Sequence, residues 1–247
     1  MDPFLCWFIF TGGGWVIANL EVYEPSCRAL CNAAECIVVS VAYRQAPEYK
    51  YPAAVEDAAA ALQWVLANAQ QLSGDPLRVA IGGESAGGNL ATVACLKARD
   101  EGDRLPIAQL LIYPVTDSAM NTPSYLENVN AKPLNAAMMS WFWTYYLENK
   151  VQGHEPYAAP MLATSLRGLP PAIVITAEFD PLRDEGEGYA QRLIDAGVPV
   201  HLQRYDGLTH EFFGLAGVVP KAKQAVDDVA KGLKQAFAQR GEVGARR

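Results

Sequence analysis

Basic charge is in short supply in this chain. Its 20 Lys and Arg face 27 Asp and Glu, a formal net charge of −7 at pH 7, and nowhere do the basic residues gather into a stripe. A protein that grips nucleic acid through phosphates needs such a stripe, so that class of partner is excluded. Long apolar runs are also lacking. Residues 4–10 form an apolar run near the start, but it falls well short of the roughly 20 residues that span a bilayer. It has neither a basic segment before it nor a small-residue cleavage site after it, so it reads as a buried strand and not as a signal or an anchor. The five cysteines, Cys6, Cys27, Cys31, Cys36 and Cys95, are odd in number and show no regular pairing. That excludes a disulfide framework and makes the reducing cytosol the expected compartment. Cys27 and Cys31 fall on a helix-like stretch, Cys36 opens a strand-like run, and no His is near to complete a zinc site. Histidine is scarce as well: any catalytic imidazole must be His154, His201 or His210.

Apolar residues make up 51% of the 247 positions, enough for a substantial core in one large domain. Strand-like runs of aromatic and β-branched residues occur at 4–10, 36–42, 78–82, 108–113, 172–177 and 200–205. Helix-like segments alternate with them at 53–69, 86–99, 184–196 and 221–239, the third stopping at Gly197. That rhythm predicts an α/β fold with a mostly parallel sheet covered by helices on both faces. Residues 117–168 break it with Pro-, Asn- and Gly-rich loops around one aromatic helix candidate at 134–148. An insertion of this kind, at the carboxyl ends of the strands, often lines a binding site. There is no internal repeat and no linker that would cut the chain, so 1–247 is read as a single domain. The closing residues 241–247 read as a frayed polar tail.

Gly83-Glu84-Ser85-Ala86-Gly87 follows the third strand candidate directly and opens a helix. This is the context of a nucleophile elbow, a tight strand-to-helix turn that lifts a serine hydroxyl out of the sheet. The residues two before and two after the serine approach neighbouring backbone, which favours Gly at both. The Ala86 amide then points at a developing oxyanion near the helix N-terminus. Thr11-Gly12-Gly13-Gly14-Trp15 follows the first strand, and three glycines in a row leave bare backbone able to present N–H groups to a substrate oxygen. A serine nucleophile needs a base. His201 lies inside a strand candidate and His154 in the irregular insertion, whereas His210 follows the last strand at the end of the sheet where the elbow emerges. The orienting acid should leave another strand end between the two. Asp180, after the 172–177 strand, is the natural candidate, with Glu178 as fallback and Asp117 weaker. Asp184 and Glu185 read as first-turn helix residues.

The Gly-Gly-Gly-Trp loop, Tyr43-Arg44-Gln45-Ala46-Pro47-Glu48, Gly82-Gly83-Glu84-Ser85-Ala86-Gly87-Gly88-Asn89, Asp180-Pro181-Leu182-Arg183-Asp184-Glu185 and Tyr205-Asp206-Gly207-Leu208-Thr209-His210 occur in that order. Together they resemble the bacterial hormone-sensitive-lipase family of esterases, which have the α/β-hydrolase fold. The resemblance implies Ser85 as nucleophile, His210 as base, Asp180 as its partner, and oxyanion amides from Gly13, Gly14 and Ala86, with Gly12 as a further candidate. It also implies hydrolysis of short- to medium-chain carboxylic esters with no cofactor and no metal. Three departures stand out. Thr11 occupies the place of the family's loop His, which implies a looser oxyanion hole. The chain begins ten residues before that loop, where relatives carry an N-terminal cap segment, so the cap is expected to shrink to the 117–168 insertion. Glu211 follows the base where Gly is common, and a carboxylate there would favour the imidazolium or crowd the site.

Met138, Met139, Trp141, Phe142, Trp143, Tyr145 and Tyr146 make the 134–148 helix unusually apolar. These residues are core packing, or, with a reduced cap, partly an exposed face that would favour a homodimer. A competing reading of the whole chain is a small-ligand-binding member of the fold whose site is idle. An amidase or a dehydratase on the same scaffold is another; amide and ester cleavage use the same base and oxyanion hole.

Overall fold

The computed structural model describes residues 4–244. Strands β1 (Phe4–Phe10), β2 (Cys36–Val41), β3 (Gly74–Glu84), β4 (Gln109–Ile112), β5 (Ala172–Phe179) and β6 (Val200–Thr209) form one six-stranded sheet in the order β2-β1-β3-β4-β5-β6. All five pairings are parallel. The helices are α1 (Leu20–Ala34), α2 (Ala53–Asn68), α3 (Ala86–Glu101), α4 (Pro123–Glu127), α5 (Ala136–Tyr146), α6 (Arg183–Asp195) and α7 (Pro220–Gly244). The alternation of strands and helices expected from sequence is the architecture observed.

Period-two alternation along each buried strand feeds two cores. Phe8, Phe10, Val79, Ile81, Leu111 and Val174 point to one face and pack with α2, α3 and α6 through residues such as Leu62, Leu90 and Leu193. Trp7, Ile9, Ala80, Leu110, Ile112 and Ile175 point to the other and pack with α1 and α7 through Leu30, Val229, Leu233 and Phe237. The order has one reversal. From β1 the chain moves outward to β2, then returns through α2 to place β3 on the other side of β1. The segments leaving β1 and β3 therefore diverge to opposite faces, and the crevice between them is where open α/β sheets place their sites. The glycine loop follows β1 and the Ser85 turn follows β3, so both fall at this point.

Several boundaries differ from the sequence reading. β3 begins at Gly74, ahead of 78–82, because Gly74 pairs with Phe4 before a register shift brings Val79 opposite Cys6; Asp75-Pro76 within that irregularity reads locally as a turn. β6 continues past 205 to Thr209, which pairs with Phe179 beyond a second shift. α7 runs to Gly244, so the expected frayed tail is helical up to that point, and 245–247 lie outside the described residues. α6 does end as its glycine suggests: Gly197 has φ +80°, and the Val198 N–H donates to the Leu193 carbonyl at 3.0 Å. Among the described residues no helix is long and apolar enough to cross a membrane.

The aromatic helix divides its side chains by face. Asn135 caps its start by accepting from the Met138 N–H. Met139, Phe142, Trp143 and Tyr146 are buried, while Met138, Trp141 and Tyr145 are exposed. The buried face docks on the glycine loop. Trp15 stacks on Tyr146 with ring centroids 4.1 Å apart and planes 5° from parallel, and it also meets Trp143 at 4.7 Å. Trp15 is fully buried, so Trp15→Ala should cost about 3–5 kcal/mol of stability. Urea unfolding at unchanged m-value would show it, and a loss below about 1 kcal/mol would mean that α5 is not anchored through this ring.

Candidate active site

Ser85 sits between the last residue of β3 and the first of α3, with φ 55° and ψ −117°. That is a strained conformation for any residue with a Cβ, and it persists only where the surroundings impose it. Here the Ser85 N–H donates to the Ile112 carbonyl at 2.9 Å, and the Ser85 carbonyl accepts from Asn89 N–H at 3.1 Å and Val115 N–H at 3.2 Å. The flanking glycines are required by space. A Cβ on Gly83 would lie 2.1 Å from the carbonyl carbon of Gly87, and one on Gly87 would lie 2.0 Å from the carbonyl oxygen of Phe10. The turn is thus pressed against the end of β1.

The glycine loop lies beside it. A Cβ on Gly12 would come within 3.0 Å of the Glu84 carbonyl and 2.2 Å of the Tyr23 hydroxyl, and one on Gly14 would strike the Phe142 ring at 2.2 Å. Gly13 and Gly14 both take positive φ, 86° and 58°. The loop is held by its carbonyls. Tyr43 donates its hydroxyl to the Thr11 carbonyl at 2.9 Å and the Gly12 carbonyl at 3.3 Å. The Gly13 carbonyl accepts from Val16 and Ile17 N–H at 3.1 and 3.0 Å. In a trans peptide the N–H points opposite to the C=O. The Gly13 and Gly14 amides therefore face away from these anchors. The Ala86 amide opens α3, one of the first-turn N–H groups that a helix leaves without an internal partner.

His210 follows β6 and is buried between Ser85 and Asp180. Its Nε2 is 3.0 Å from Ser85 Oγ, and its Nδ1 is 2.7 Å from Asp180 Oδ2. Asp180 is fully buried, and its other oxygen accepts the Leu182 N–H at 2.9 Å, which fixes the carboxylate in the loop after β5. The imidazole also packs on the Tyr113 ring, with centroids 4.6 Å apart. Burial pulls its pKa down, but the charge and hydrogen bond of Asp180, then the charges of Glu211 and Glu84, more than offset this and leave it raised.

The remaining candidates lie elsewhere. His201 is exposed on β6, the edge strand, and His154 is exposed in a short 3-10 turn. Glu178 accepts the Gly207 N–H, and Asp117 caps its own turn by accepting from Ala119 N–H. Glu185 does lie in the first turn of α6, as expected, but its side chain turns inward. It is buried and accepts the N–H groups of Thr116 and Asp117 at 2.6 and 3.2 Å, tying the loop after β4 to α6. Among the described residues no group of three His, Cys, Asp or Glu converges to hold a metal ion.

Sequence reasoning singled out Glu211 but missed the groups gathered with it behind His210. Glu84 is fully buried, and Tyr113 donates its hydroxyl to it. Tyr23 donates to Glu211 Oε1 at 2.8 Å, and that oxygen lies 3.7 Å from His210 Nε2. Tyr43 belonged to a recognised motif, but its grip on the loop carbonyls needed the fold. Burial, and then the charge of Glu211, push the Glu84 carboxyl from 4.5 up to about 7 against the Tyr113 hydrogen bond.

Comparison with known proteins gives the class. Residues 7–214 match the family described as alpha/beta hydrolase fold. The carboxylesterase NlhH of Mycobacterium tuberculosis is 42% identical over 235 residues, 92% of this chain and 72% of its own. The esterase LipI of the same organism is 43% identical over 88% of this chain and 68% of its own. The hyperthermophilic esterase from Pyrobaculum calidifontis superposes with a TM-score of 0.91 at 41% identity, covering 95% of this chain and 77% of that one. EstE1, a thermostable carboxylesterase from a metagenomic library, gives 0.92 at 40% identity over 96% and 81%. The chain belongs to the α/β-hydrolase family, in its hormone-sensitive-lipase-like branch of carboxylesterases.

A carboxyl whose pKa is higher folded than unfolded adds stability below the unfolded value and loses it as pH rises through the folded one. Glu84 should therefore cost stability as pH climbs from about 4.5 to about 7. Glu84→Gln keeps an acceptor for Tyr113 and cannot ionise. Its melting temperature relative to wild type should improve across that window, and a pH-independent difference would contradict the buried-carboxyl assignment.

Proposed function

We propose that Ser85, His210 and Asp180 act as nucleophile, base and orienting acid of this carboxylic ester hydrolase. The single observation that carries the reading is the continuous run of hydrogen-bond contacts from Ser85 Oγ through His210 to the buried Asp180, at 3.0 and 2.7 Å. Nε2 of His210 takes the hydroxyl proton as Oγ bonds to the ester carbonyl carbon. The carbonyl oxygen becomes an oxyanion, met by the amides of Gly13, Gly14 and Ala86, with Gly12 completing the loop that presents them. Collapse breaks the C–O bond to the alcohol, which leaves with the proton from Nε2. Water then gives a proton to Nε2 and attacks the acyl-enzyme, and the second collapse returns the proton to Ser85 Oγ and frees the acid. Asp180 holds the Nδ1–H tautomer and stabilises the imidazolium in both steps. No step calls for a cofactor or a metal.

We read 1–247 as one hydrolase domain in which 117–168 serves as a partial cap. The Phe142 ring against Gly14 supports this, since it places α5 directly over the glycine loop. Substrates of short to medium acyl length fit a site of this family. The five unpaired cysteines support the reducing cytosol as its compartment.

Hydrolysis of p-nitrophenyl acetate and butyrate tests the reading. Wild type should turn both over. Ser85→Ala and His210→Ala should each lose roughly three orders of magnitude or more in kcat, and Asp180→Asn on the order of 10³–10⁴. Folded wild type with no turnover above Ser85→Ala would leave a ligand-binding role in its place.

The exposed side of α5, with Met138, Trp141 and Tyr145 in line at helical spacing, supports self-association through this face. Light scattering should give the mass of a dimer, and Trp141→Glu should return it to monomer. A monomeric wild type would count against the dimer.

A further inference from the structure

We propose that Glu211 and Tyr23 form a positioning pair that braces His210 against the glycine loop and presents a second carboxylate to its imidazolium. The proposal rests on His210 acting as the base.

Three contacts define the pair. Glu211 Oε1 accepts the Tyr23 hydroxyl at 2.8 Å, across 188 residues of sequence. The same oxygen lies 3.7 Å from His210 Nε2, the nitrogen that faces Ser85 Oγ. Tyr23, buried on α1, sets its hydroxyl where a side chain at position 12 would be, 2.2 Å from the Cβ that Gly12 lacks. Glu211, Tyr23 and Gly12 thus form a short strut between the residue after the base and the loop that meets the substrate carbonyl. Glu211 holds the left-handed conformation at φ 65° and ψ 11°. Glycine would adopt it freely, whereas a residue with a Cβ is uncommon there and must be held by its contacts. A long acidic side chain at such a position is best explained by what its carboxylate touches.

The groups facing His210 come from every neighbouring element. Asp180 meets Nδ1 from the loop after β5, the Tyr113 ring lies under the imidazole after β4, and Glu84 approaches from the end of β3. Among the described residues Glu211 is the one acid placed beside Nε2, and Tyr23, from α1, holds it there. The imidazolium exists fully in both tetrahedral states, and a carboxylate at this range favours it. The same field favours the imidazolium in the resting enzyme, where it blocks proton uptake from Ser85. Removing the charge should therefore lower the maximal rate and, at the same time, move the acid limb of activity to lower pH. A merely structural contact would give the first effect without the second.

The experiment is the pH profile of p-nitrophenyl butyrate hydrolysis for wild type, Glu211→Gln, Glu211→Gly, Tyr23→Phe and the double variant Glu211→Gln/Tyr23→Phe. Glu211→Gln should lower kcat about three- to tenfold, leave KM close to wild type, and shift the acid limb of kcat/KM down by about half a pH unit or more. Glu211→Gly relaxes the backbone, so it should fold and show the same shift. Tyr23→Phe keeps the ring and the Glu211 charge. It should lower kcat without moving the limb downward, and the double variant should be no worse than Glu211→Gln. A limb unmoved in both Glu211 variants, or fully additive losses in the double variant, overturns the proposal. Should wild type hydrolyse no ester, the failure belongs to the esterase reading. The His210 imidazole titration followed by NMR in wild type and Glu211→Gln then decides this one: a downward shift in the variant supports it and coincident curves overturn it.

Discussion

The carboxyl end of the sheet is organised around a close approach of two backbones, that of Gly87 in the first turn of α3 and the carbonyl of Phe10 at the end of β1. A Cβ on Gly87 would lie 2.0 Å from that oxygen, so the approach is available only to glycine. β1 and β3 are neighbours in the sheet and their continuations part to opposite faces, which opens room for the turn at Ser85 and the glycine loop to lie side by side. The tightness has a consequence for Ser85. With Gly83 and Gly87 in van der Waals contact across the turn, the residue at its apex is forced to positive φ, and hydrogen bonds from β4 and the loop after it hold it there. The serine hydroxyl therefore emerges at a place set by main chain, and His210 and Asp180 need only leave the ends of β6 and β5 to meet it.

Acids surround the imidazole, and the surrounding donors are mostly neutral. Asp180 takes a backbone N–H besides the imidazole, Glu84 takes the Tyr113 hydroxyl, and Glu211 takes the Tyr23 hydroxyl. Neutral donors satisfy lone pairs without cancelling charge. The negative field at His210 thus survives, whereas Lys or Arg partners would quench it. Burial and mutual repulsion limit how much charge the group can carry, which is why Glu84, the most enclosed of the pair with Glu211, is pushed to about 7. The phenols are shifted far up for the same reasons, burial first and then the nearby carboxylates, so they remain donors throughout the range in which an esterase would work.

Much of the fold was legible in sequence because its signals are local. Six apolar runs, helices between them and glycine after α6 each declare an element within a few residues. The boundaries that were missed depend on partners far away. Gly74 is a strand residue because Phe4 is beside it, and Thr209 because Phe179 is. The site divides along the same line. Ser85 carries a motif with its own strand and helix, and His210 and Asp180 follow from strand ends and chain order. Tyr23 and Glu211 are 188 residues apart, and Tyr23 sits in a helix whose local pattern says only that one face is buried. Glu185 falls in the first turn of α6, as acids favoured by the helix dipole do, but its second role was not legible. Its burial, and the two amides it accepts, come from packing against the loop after β4.

Thr11 raised the expectation of a looser loop, since it stands where relatives carry a supporting histidine. The contacts argue otherwise. What a glycine loop must keep is the direction of its amides, and each amide is tied through its rigid peptide plane to the carbonyl of the residue before it. The Gly12 carbonyl, which sets the Gly13 amide, takes the Tyr43 hydroxyl, and the Gly13 carbonyl, which sets the Gly14 amide, takes two N–H groups from the turn at Val16 and Ile17. The Thr11 side chain touches these planes only through the Tyr43 hydroxyl, which it also hydrogen-bonds. Tyr43 reaches the Thr11 carbonyl as well, so the main chain at that residue is held whatever its side chain. Phe142 above Gly14 and the Tyr23 hydroxyl beside Gly12 then close the remaining directions in which the loop could move. Support that comes through carbonyls and flanking rings leaves residue 11 to fill its buried space and steady Tyr43, and the threonine does both.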